Sequence, residues 1–282
     1  MHRKDIALAL LLSLVLGAGW VLGKTATESF PPIFTAALRF CIAGLAICAV
    51  TRWPRAPFRA ILIASTCAIS LPYSLSYIGL SRLDVSTTVM LVQLEAPLLL
   101  ILSALWLGEY PSRAAWAGVA LTLAGVALVA GPPGAAGQGA AVALVVLSML
   151  IWAVGQILVR KQGLGGQGSG FALLGAMSLV AAPQLLLASL VLEAPIPAAA
   201  AAPLLAWAQL AYLGLVMTAF GVGSWYAMIL RYPLHRVAPY LLLVPVWSLL
   251  GGVLLLGEVL STLTLVGGAL ILAGVALATR DV

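Results

Sequence analysis

The chain has 282 residues, of which 63% are hydrophobic and only 8% are charged. Soluble domains carry about 25% charged residues, so this composition excludes a soluble globular protein and indicates an integral membrane protein. The net charge of +6 does not call for a nucleic acid, because Lys and Arg are enriched in the cytoplasmic loops of membrane proteins. We therefore expect the lipid bilayer, and no nucleic acid, among its partners.

Apolar stretches long enough to cross a bilayer recur along almost the whole chain. A spanning helix needs about 17–25 apolar residues, and hydropathy together with helix breakers predicts ten of them. In chain order the predicted spans are 6–24, 33–51, 59–80, 85–107, 114–131, 139–160, 170–192, 205–230, 237–257 and 263–279. The expected fold class is therefore all-α, with ten transmembrane helices.

The basic residues orient these spans. With the N-terminus in the cytoplasm, eleven of the fourteen Lys and Arg residues fall on the cytoplasmic side. Lys24 and Arg82 fall on the outer side, and Arg39 lies within the second span. Because positive charge is retained in the cytoplasm, both chain termini are expected there.

Two parts of the sequence are copies of each other. The segment 118–128 reappears as 267–277, and each copy is preceded by Leu-Gly-Glu, at 107–109 and at 256–258. Both matches share the offset 258 − 109 = 149, which chance similarity between apolar runs would not preserve. Inverted repeats of this kind are typical of secondary transporters.

The repeat divides the ten spans into five and five, giving two halves, 1–134 and 135–282. A unit with an odd number of spans is inverted when it is repeated, so the halves are expected to have opposite orientations in the membrane. The first and sixth spans then align, with Gly19 matching Gly155 and Lys24 matching Arg160. We assign Gly19, Lys24 and Gly155 a structural or gating role.

The order of the motifs carries a family likeness. Each half opens with small and aromatic residues that end in a base, and each has a proline in its fourth span, then Leu-Gly-Glu and a glycine-rich closing span. The residues are Gly17–Lys24, Trp152–Arg160, Arg39, Pro97 and Pro245. In these features the chain resembles the drug/metabolite transporter superfamily, specifically its ten-span exporters with two EamA domains.

Within that superfamily the chain most resembles the bacterial aromatic amino acid exporters. The resemblance implies export of small amphipathic metabolites by alternating access, in the bacterial inner membrane and without a cofactor. Two features depart from the family pattern. Leu16 stands where the first motif usually has tryptophan, and the prolines precede Leu-Gly-Glu differently, by 109 − 97 = 12 and 258 − 245 = 13 residues.

Glu95 and Arg39 are charged residues inside predicted spans. Glu95 lies about ten residues into the fourth span, where a charge costs about 2.5–3.5 kcal/mol or more. It is either a partner for a substrate ammonium, a proton carrier, or a structural carboxyl beside the helix break that Pro97 introduces. Arg39 either reaches the outer interface along its long stem, or pairs with Glu95 or Glu28, or holds a substrate carboxylate. Lys24 is interpreted as an interfacial anchor.

Aromatic and amide side chains at depth complete the predicted site. Aromatic walls stack on aromatic substrates or bind cations, although each ring taken singly is also explained by packing. Ser76 and the amides add hydrogen-bonding capacity that suits a zwitterion better than a phosphate. The predicted substrate-binding residues are Trp20, Tyr77, Gln93, Glu95, Trp152, Gln156, Tyr226 and Trp247, and Arg39, Pro97 and Pro245 join the structural or gating set.

Other functional classes find little support in the sequence. The two histidines, His2 and His235, are predicted to be cytoplasmic, and no nucleophile or metal motif lies at depth. We therefore expect no enzyme, no metal and no cofactor. A multidrug (organic cation) carrier and a lipid-carrier flippase remain alternatives on the same scaffold. The repeated glycines are interpreted as packing within a monomer, with a dimer contact as the alternative.

Overall fold

The computed structural model describes residues 3–130, 138–164, 170–232, 237 and 240–278, except the side chains of Arg3, Tyr226, Ile229 and Leu230. Within these ranges all regular secondary structure is helical. The predicted boundary between residues 134 and 135 lies outside the described residues, as do both chain ends.

Each of the ten predicted spans overlaps a helical stretch of the described residues; within the predicted span 237–257 that helix covers Leu243–Leu256. The helices are α1 (Arg3–Ser29), α2 (Pro32–Val50), α3 (Phe58–Ser65), α4 (Leu71–Arg82), α5 (Val85–Val92), α6 (Glu95–Leu107), α7 (Arg113–Ala130), α8 (Gly139–Lys161), α9 (Gly170–Leu192), α10 (Pro195–Ala201), α11 (Leu204–Ala211), α12 (Gly223–Arg231), α13 (Leu243–Leu256) and α14 (Thr262–Ala278). In the described residues eight stretches are long and apolar enough to cross a membrane, and α13 and α14 are shorter apolar helices. The short helix α10 was not predicted; it lies in the Ala- and Pro-rich stretch between the seventh and eighth predicted spans.

Two of the spans contain wide, π-helical turns. One covers Thr66–Ser70 between α3 and α4, and the other covers Tyr212–Val222 between α11 and α12. The first precedes Pro72, which has no N–H to donate to the carbonyl four residues back. The N–H of Leu71 accordingly bonds to the carbonyl of Thr66, five residues back. Such turns occur often at functional sites.

The fourth span is broken between α5 and α6, and Pro97 is the third residue of α6. Pro245 is likewise the third residue of α13. Both prolines are buried, and they occupy the same place relative to the helix start. The difference in their distance to Leu-Gly-Glu arises because α6 has 13 residues and α13 has 14.

The repeated glycines bring α7 and α14 into close antiparallel contact. A Cβ on Gly125 would lie 2.6 Å from the carbonyl oxygen of Gly267, and one on Gly274 would lie 2.7 Å from that of Gly118. Backbones can approach this closely only where side chains are absent. The glycines therefore serve packing within one chain, as predicted.

The other main contacts also join helices of the first five predicted spans to helices of the last five. Helix α2 packs along α9, where a Cβ on Gly44 would lie 2.7 Å from the backbone nitrogen of Leu179. Helix α1 packs on α13 and on the second π-helical segment, and α8 packs on α6 and α4. This arrangement leaves space at the centre, between α2, α4, α8 and α9.

Candidate functional site

A cavity of about 330 Å³ lies among the central helices. Arg39 and Phe40 of α2, Tyr73 of α4, and Trp152 and Gln156 of α8 line it. Both π-helical segments also contribute to its wall, through Ala68, Ile69, Thr218 and Val222. It extends to Gly170, the first residue of α9, and thus reaches towards the end of the bundle where α8 ends.

A smaller cavity of about 60 Å³ adjoins the first. The two cavities share Tyr73 and Trp152 in their walls. The smaller one is further lined by Trp20 of α1, Ser76 of α4 and Glu95 of α6. An arginine and a glutamate thus face two adjoining spaces that are separated by aromatic side chains.

Arg39 is buried, with 4% of its surface exposed. Its Nε donates to the hydroxyl of Thr218 at 2.9 Å, and one terminal nitrogen donates to the hydroxyl of Tyr77 at 3.0 Å. The guanidinium carbon lies 5.1 Å from the ring centroids of both Phe40 and Tyr73, within the range of cation–π attraction. Hydroxyls and ring faces therefore surround its charge.

In the described part of the chain no carboxylate pairs with Arg39, and the one ion pair there joins Arg160 to Glu109. The predicted pairing of Arg39 with Glu95 or Glu28 is therefore wrong for this conformation. A guanidinium is always charged, and its planar fork matches a carboxylate. Arg39 lies in the cavity wall, and its role towards a substrate carboxylate stays a prediction.

Glu95 lines the small cavity from the first residue of α6. The regular helix is interrupted just before Glu95. There the N–H groups of Gln93 and Leu94 bond to carbonyls only three residues back, at 3.2 and 3.1 Å. Pro97 fixes this break, because it cannot donate to the carbonyl of Gln93. Leu243 is the equivalent first residue of α13, so only the first half supplies a carboxyl here.

Four of the eight predicted substrate-binding residues lie at these cavities: Trp20, Glu95, Trp152 and Gln156. Tyr77 lies behind Arg39 and binds it, and Gln93 sits at the helix break. Trp247 instead donates its indole N–H to the hydroxyl of Ser13 at 3.1 Å, between α13 and α1. The side chain of Tyr226 lies outside the described residues.

Several wall residues were not predicted from the sequence, among them Phe40 and Thr218. Thr218 could have been noticed as a lone hydroxyl in a strongly apolar stretch. Its hydroxyl donates to the carbonyl of Leu213, five residues back, at 2.7 Å. This i−5 bond reflects the π-helical geometry that turns Thr218 towards Arg39.

Gly19, Gly155 and Lys24, which were predicted to be structural or gating residues, lie at contacts between the helices around the cavities. A Cβ on Gly155 would lie 2.6 Å from the backbone nitrogen of Ala68, and one on Gly19 would lie 2.7 Å from Cγ of Met217. Both glycines therefore let α8 and α1 approach the π-helical segments. Lys24 donates from Nζ to the carbonyls of Leu80, Ser81 and Leu83 at 2.9, 3.1 and 2.8 Å, closing the end of α4.

The chain matches the profile of the EamA-like transporter family twice, over residues 3–131 and 139–280. These two matches cover nearly the whole sequence, and each begins with a span that opens one of the two repeats.

Curated relatives extend over almost the full length. The chain is 30% identical to a Salmonella typhimurium protein named "Probable amino-acid metabolite efflux pump", over 97% of this chain and 94% of that protein. Its counterpart in Escherichia coli, with the same name, is 29% identical over the same shares. A "Probable terminal-alkyne amino-acid exporter" of Streptantibioticus cattleyicolor is 30% identical over 72% of this chain and 66% of its own length.

A solved crystal structure shares the fold. It superposes with a TM-score of 0.69 over 99% of this chain and 97% of its own, at 20% sequence identity. At that level of identity the likeness concerns the arrangement of the helices alone.

Proposed function

The chain belongs to the EamA-like transporter family, and on this premise we propose that it exports small amphipathic metabolites, above all aromatic or other hydrophobic amino acids. Relatives that match nearly its whole length are named amino-acid metabolite efflux pumps. Their names supply the substrate class, and the aromatic walls of the central cavities favour aromatic members of it.

The buried charge of Arg39 carries this proposal. Arg39 has no carboxylate partner among the described residues, and Glu95 faces the adjoining cavity across Tyr73 and Trp152. An amino acid offers a carboxylate to the first and an ammonium to the second. Its ring would lie against the shared aromatic side chains, as stacking and cation–π geometry favour.

We further propose that the ten spans form two inverted halves, 1–134 and 135–282, with both termini in the cytoplasm of a bacterial inner membrane. The antiparallel contact of α7 with α14 supports the inversion, because these helices are the repeated copies. The excess of basic residues at one end supports the orientation.

Cysteine labelling tests this topology in a background where the three native cysteines are alanine. An impermeant maleimide should label Ile196→Cys from outside the cell. It should label Arg55→Cys only after permeabilisation, since both sites are exposed but lie on opposite predicted sides. Labelling of both from outside would contradict the inverted arrangement.

Alternating access is the mechanism that we propose, and the position of the cavities supports it. The large cavity extends to Val159, near the end of α8, and to Gly170 at the start of α9, and the basic residues assign this end to the cytoplasm. At the other end Lys24 binds the terminal carbonyls of α4. We interpret this conformation as the one that takes substrate from the cytoplasm, before rocking of the halves opens the outer side.

Tryptophan counterflow in proteoliposomes is the direct test. Labelled tryptophan should accumulate in tryptophan-loaded vesicles, and phenylalanine should compete while a sugar phosphate should not. Arg39→Gln should reduce this counterflow at least tenfold, because a charged hydrogen bond contributes about 1.5–3 kcal/mol. Arg82→Gln, at an exposed outer position, is the matched control. Equal activity of both variants would contradict the role of Arg39.

Glu95→Gln separates two roles of the carboxyl. Loss of tryptophan counterflow itself would identify Glu95 as the ammonium partner. Intact counterflow with loss of accumulation driven by a pH gradient would identify it as the proton carrier.

An organic cation carrier is the second candidate. It is favoured by the small cavity, in which Glu95 is accompanied by Trp20, Tyr73 and Trp152, a combination suited to organic cations. The charge of Arg39 opposes it. Transport of an organic dication that survives Arg39→Gln and fails in Glu95→Gln would establish this function instead.

A further inference from the structure

We propose that Ser76 is a specificity-determining residue, whose hydroxyl, with the carboxylate of Glu95, receives the ammonium group of the substrate in the small cavity. This inference rests on the proposed function, because it assigns the ammonium end of the amino acid to a named pocket. It concerns a residue that the carboxylate site around Arg39 does not use.

The hydroxyl of Ser76 is buried without a hydrogen-bond partner. Ser76 is 2% exposed, and within the described residues its Oγ bonds to nothing. Ser76 nevertheless lines the small cavity, as Glu95 does. A buried polar group in this condition costs free energy, which a ligand with donor hydrogens would recover.

Neighbouring serines show that this condition is not forced by the helix. Ser74, two residues earlier on α4, donates to the carbonyl of Ser70 at 2.8 Å. Ser81, near the end of the same helix, donates to the carbonyl of Ile78 at 2.9 Å. Bonds of this kind to the preceding turn are the usual arrangement for helical serines, and Ser76 makes none of them.

The position of Ser76 on α4 links it to the rest of the site. Tyr73 lies one turn earlier on the same face and borders both cavities. Tyr77, the next residue, binds Arg39. Helix α4 therefore connects the carboxylate end of the site with the ammonium end.

The size of the small cavity indicates what it can hold. Its volume of about 60 Å³ exceeds the ~10–15 Å³ that one water requires and is smaller than the ~150 Å³ of a cavity that holds benzene. An ammonium group with its three donor hydrogens fits this space, and the carboxylate of Glu95 and the hydroxyl of Ser76 supply two acceptors.

Competition against tryptophan counterflow tests the proposal in proteoliposomes of the full chain. Tryptamine carries the ammonium without the carboxylate, and indole-3-propionate carries the carboxylate without the ammonium. In Ser76→Ala the KM for tryptophan and the inhibition constant of tryptamine should each rise about tenfold, as expected for a hydrogen bond to a charged group. The inhibition constant of indole-3-propionate should stay within twofold of the wild-type value.

Ser70→Ala and Ser178→Ala are the matched controls. Both hydroxyls are buried and also lack a partner, but neither residue lines the two cavities. Wild-type constants in both controls, with the split between the two analogues in Ser76→Ala, would establish the role of Ser76. Equal losses for tryptamine and indole-3-propionate, unchanged constants in Ser76→Ala, or the same split in a control would overturn it. Wild-type protein that moves no amino acid would instead refute the proposed function.

Discussion

The two Leu-Gly-Glu elements have the same backbone and different side-chain environments. Gly108 and Gly257 both adopt a left-handed conformation, with φ of 70° and 68°. The following N–H groups, of Glu109 and Glu258, bond to carbonyls six residues back, at 3.3 and 3.0 Å. The motif thus ends α6 and α13 in the same way, as glycine C-caps do.

The glutamates themselves differ in what they bind. Glu109 forms an ion pair with Arg160, in which the side chains are 47% and 59% exposed. Glu258 is partly buried and accepts the N–H groups of Val85 and Ser86 at the start of α5, together with the hydroxyl of Ser86. Local sequence therefore determines the cap, whereas the opposite half determines what the carboxylate stabilises.

This difference indicates at which end of the bundle the helices are held together more tightly. A carboxylate at a helix N-terminus with several charge-assisted bonds contributes more than an exposed ion pair. The tight contact lies at the end that also contains Lys24, and the exposed pair lies near the end towards which the large cavity extends.

Of the substitutions that test this difference, Glu258→Ala should lower the free energy of unfolding the most. It removes the acceptor of two peptide N–H groups and a hydroxyl, and we expect the free energy of unfolding to fall by about 2–3 kcal/mol. Denaturant unfolding in detergent micelles measures it. A loss no greater than that of Glu109→Ala would contradict the asymmetry.

Lys24→Met should cause the second largest loss of stability. It removes a donor that serves three carbonyls at the end of α4 while keeping an apolar stem of similar length. We expect a loss of about 1–2 kcal/mol, measured in the same unfolding experiment. Arg82→Met, which replaces an exposed base at the same end of α4, is the control and should change stability by much less.

Gly108→Ala and Gly257→Ala should lower stability equally. These substitutions change only the backbone preference of the two Leu-Gly-Glu elements and leave the contacts of the glutamates in place. A Cβ at either position would meet no atom within 4 Å, so only the left-handed conformation opposes it. Each substitution should cost about 1 kcal/mol. A difference between the two well above the error of thermal or denaturant unfolding would show that the caps are not equivalent.

Glu109→Gln should have the smallest effect. Exposed ion pairs contribute about 0.2–1 kcal/mol and are screened by salt. The loss of stability should therefore shrink when unfolding is compared between 0.05 M and 1 M salt. A large loss of stability that persists at high salt would show that the ion pair between Glu109 and Arg160 stabilises the protein as strongly as the contacts of Glu258 do.

Much of the fold could be predicted because hydropathy and internal repeats can be recognised in the sequence without knowing which helices meet. Each predicted span overlaps a helical stretch, and the offset between the copies identified the glycines that join α7 and α14. The equivalent positions of Pro97 and Pro245 could not be predicted in this way, since they depend on where α6 and α13 begin.

The site was less predictable, because it depends on which helix faces meet. Glu95, Trp152 and Gln156 were found from the cost of polar or amphipathic groups at depth. Trp247 looked equivalent by the same argument, yet its face of α13 meets α1. Thr218 was missed because a π-helical segment shifts side chains away from the 3.6-residue period on which such predictions rest.

The glycine contact between α7 and α14 has a consequence for how changes in the two halves combine. Gly118 lies opposite Gly274, and Gly125 lies opposite Gly267, so equivalent surfaces face each other as in an isologous homodimer. One polypeptide thus contains, covalently joined, an interface of the type that two identical subunits form. Substitutions at Gly118 and Gly274, or at Gly125 and Gly267, therefore meet in space, and their energies should be coupled rather than additive.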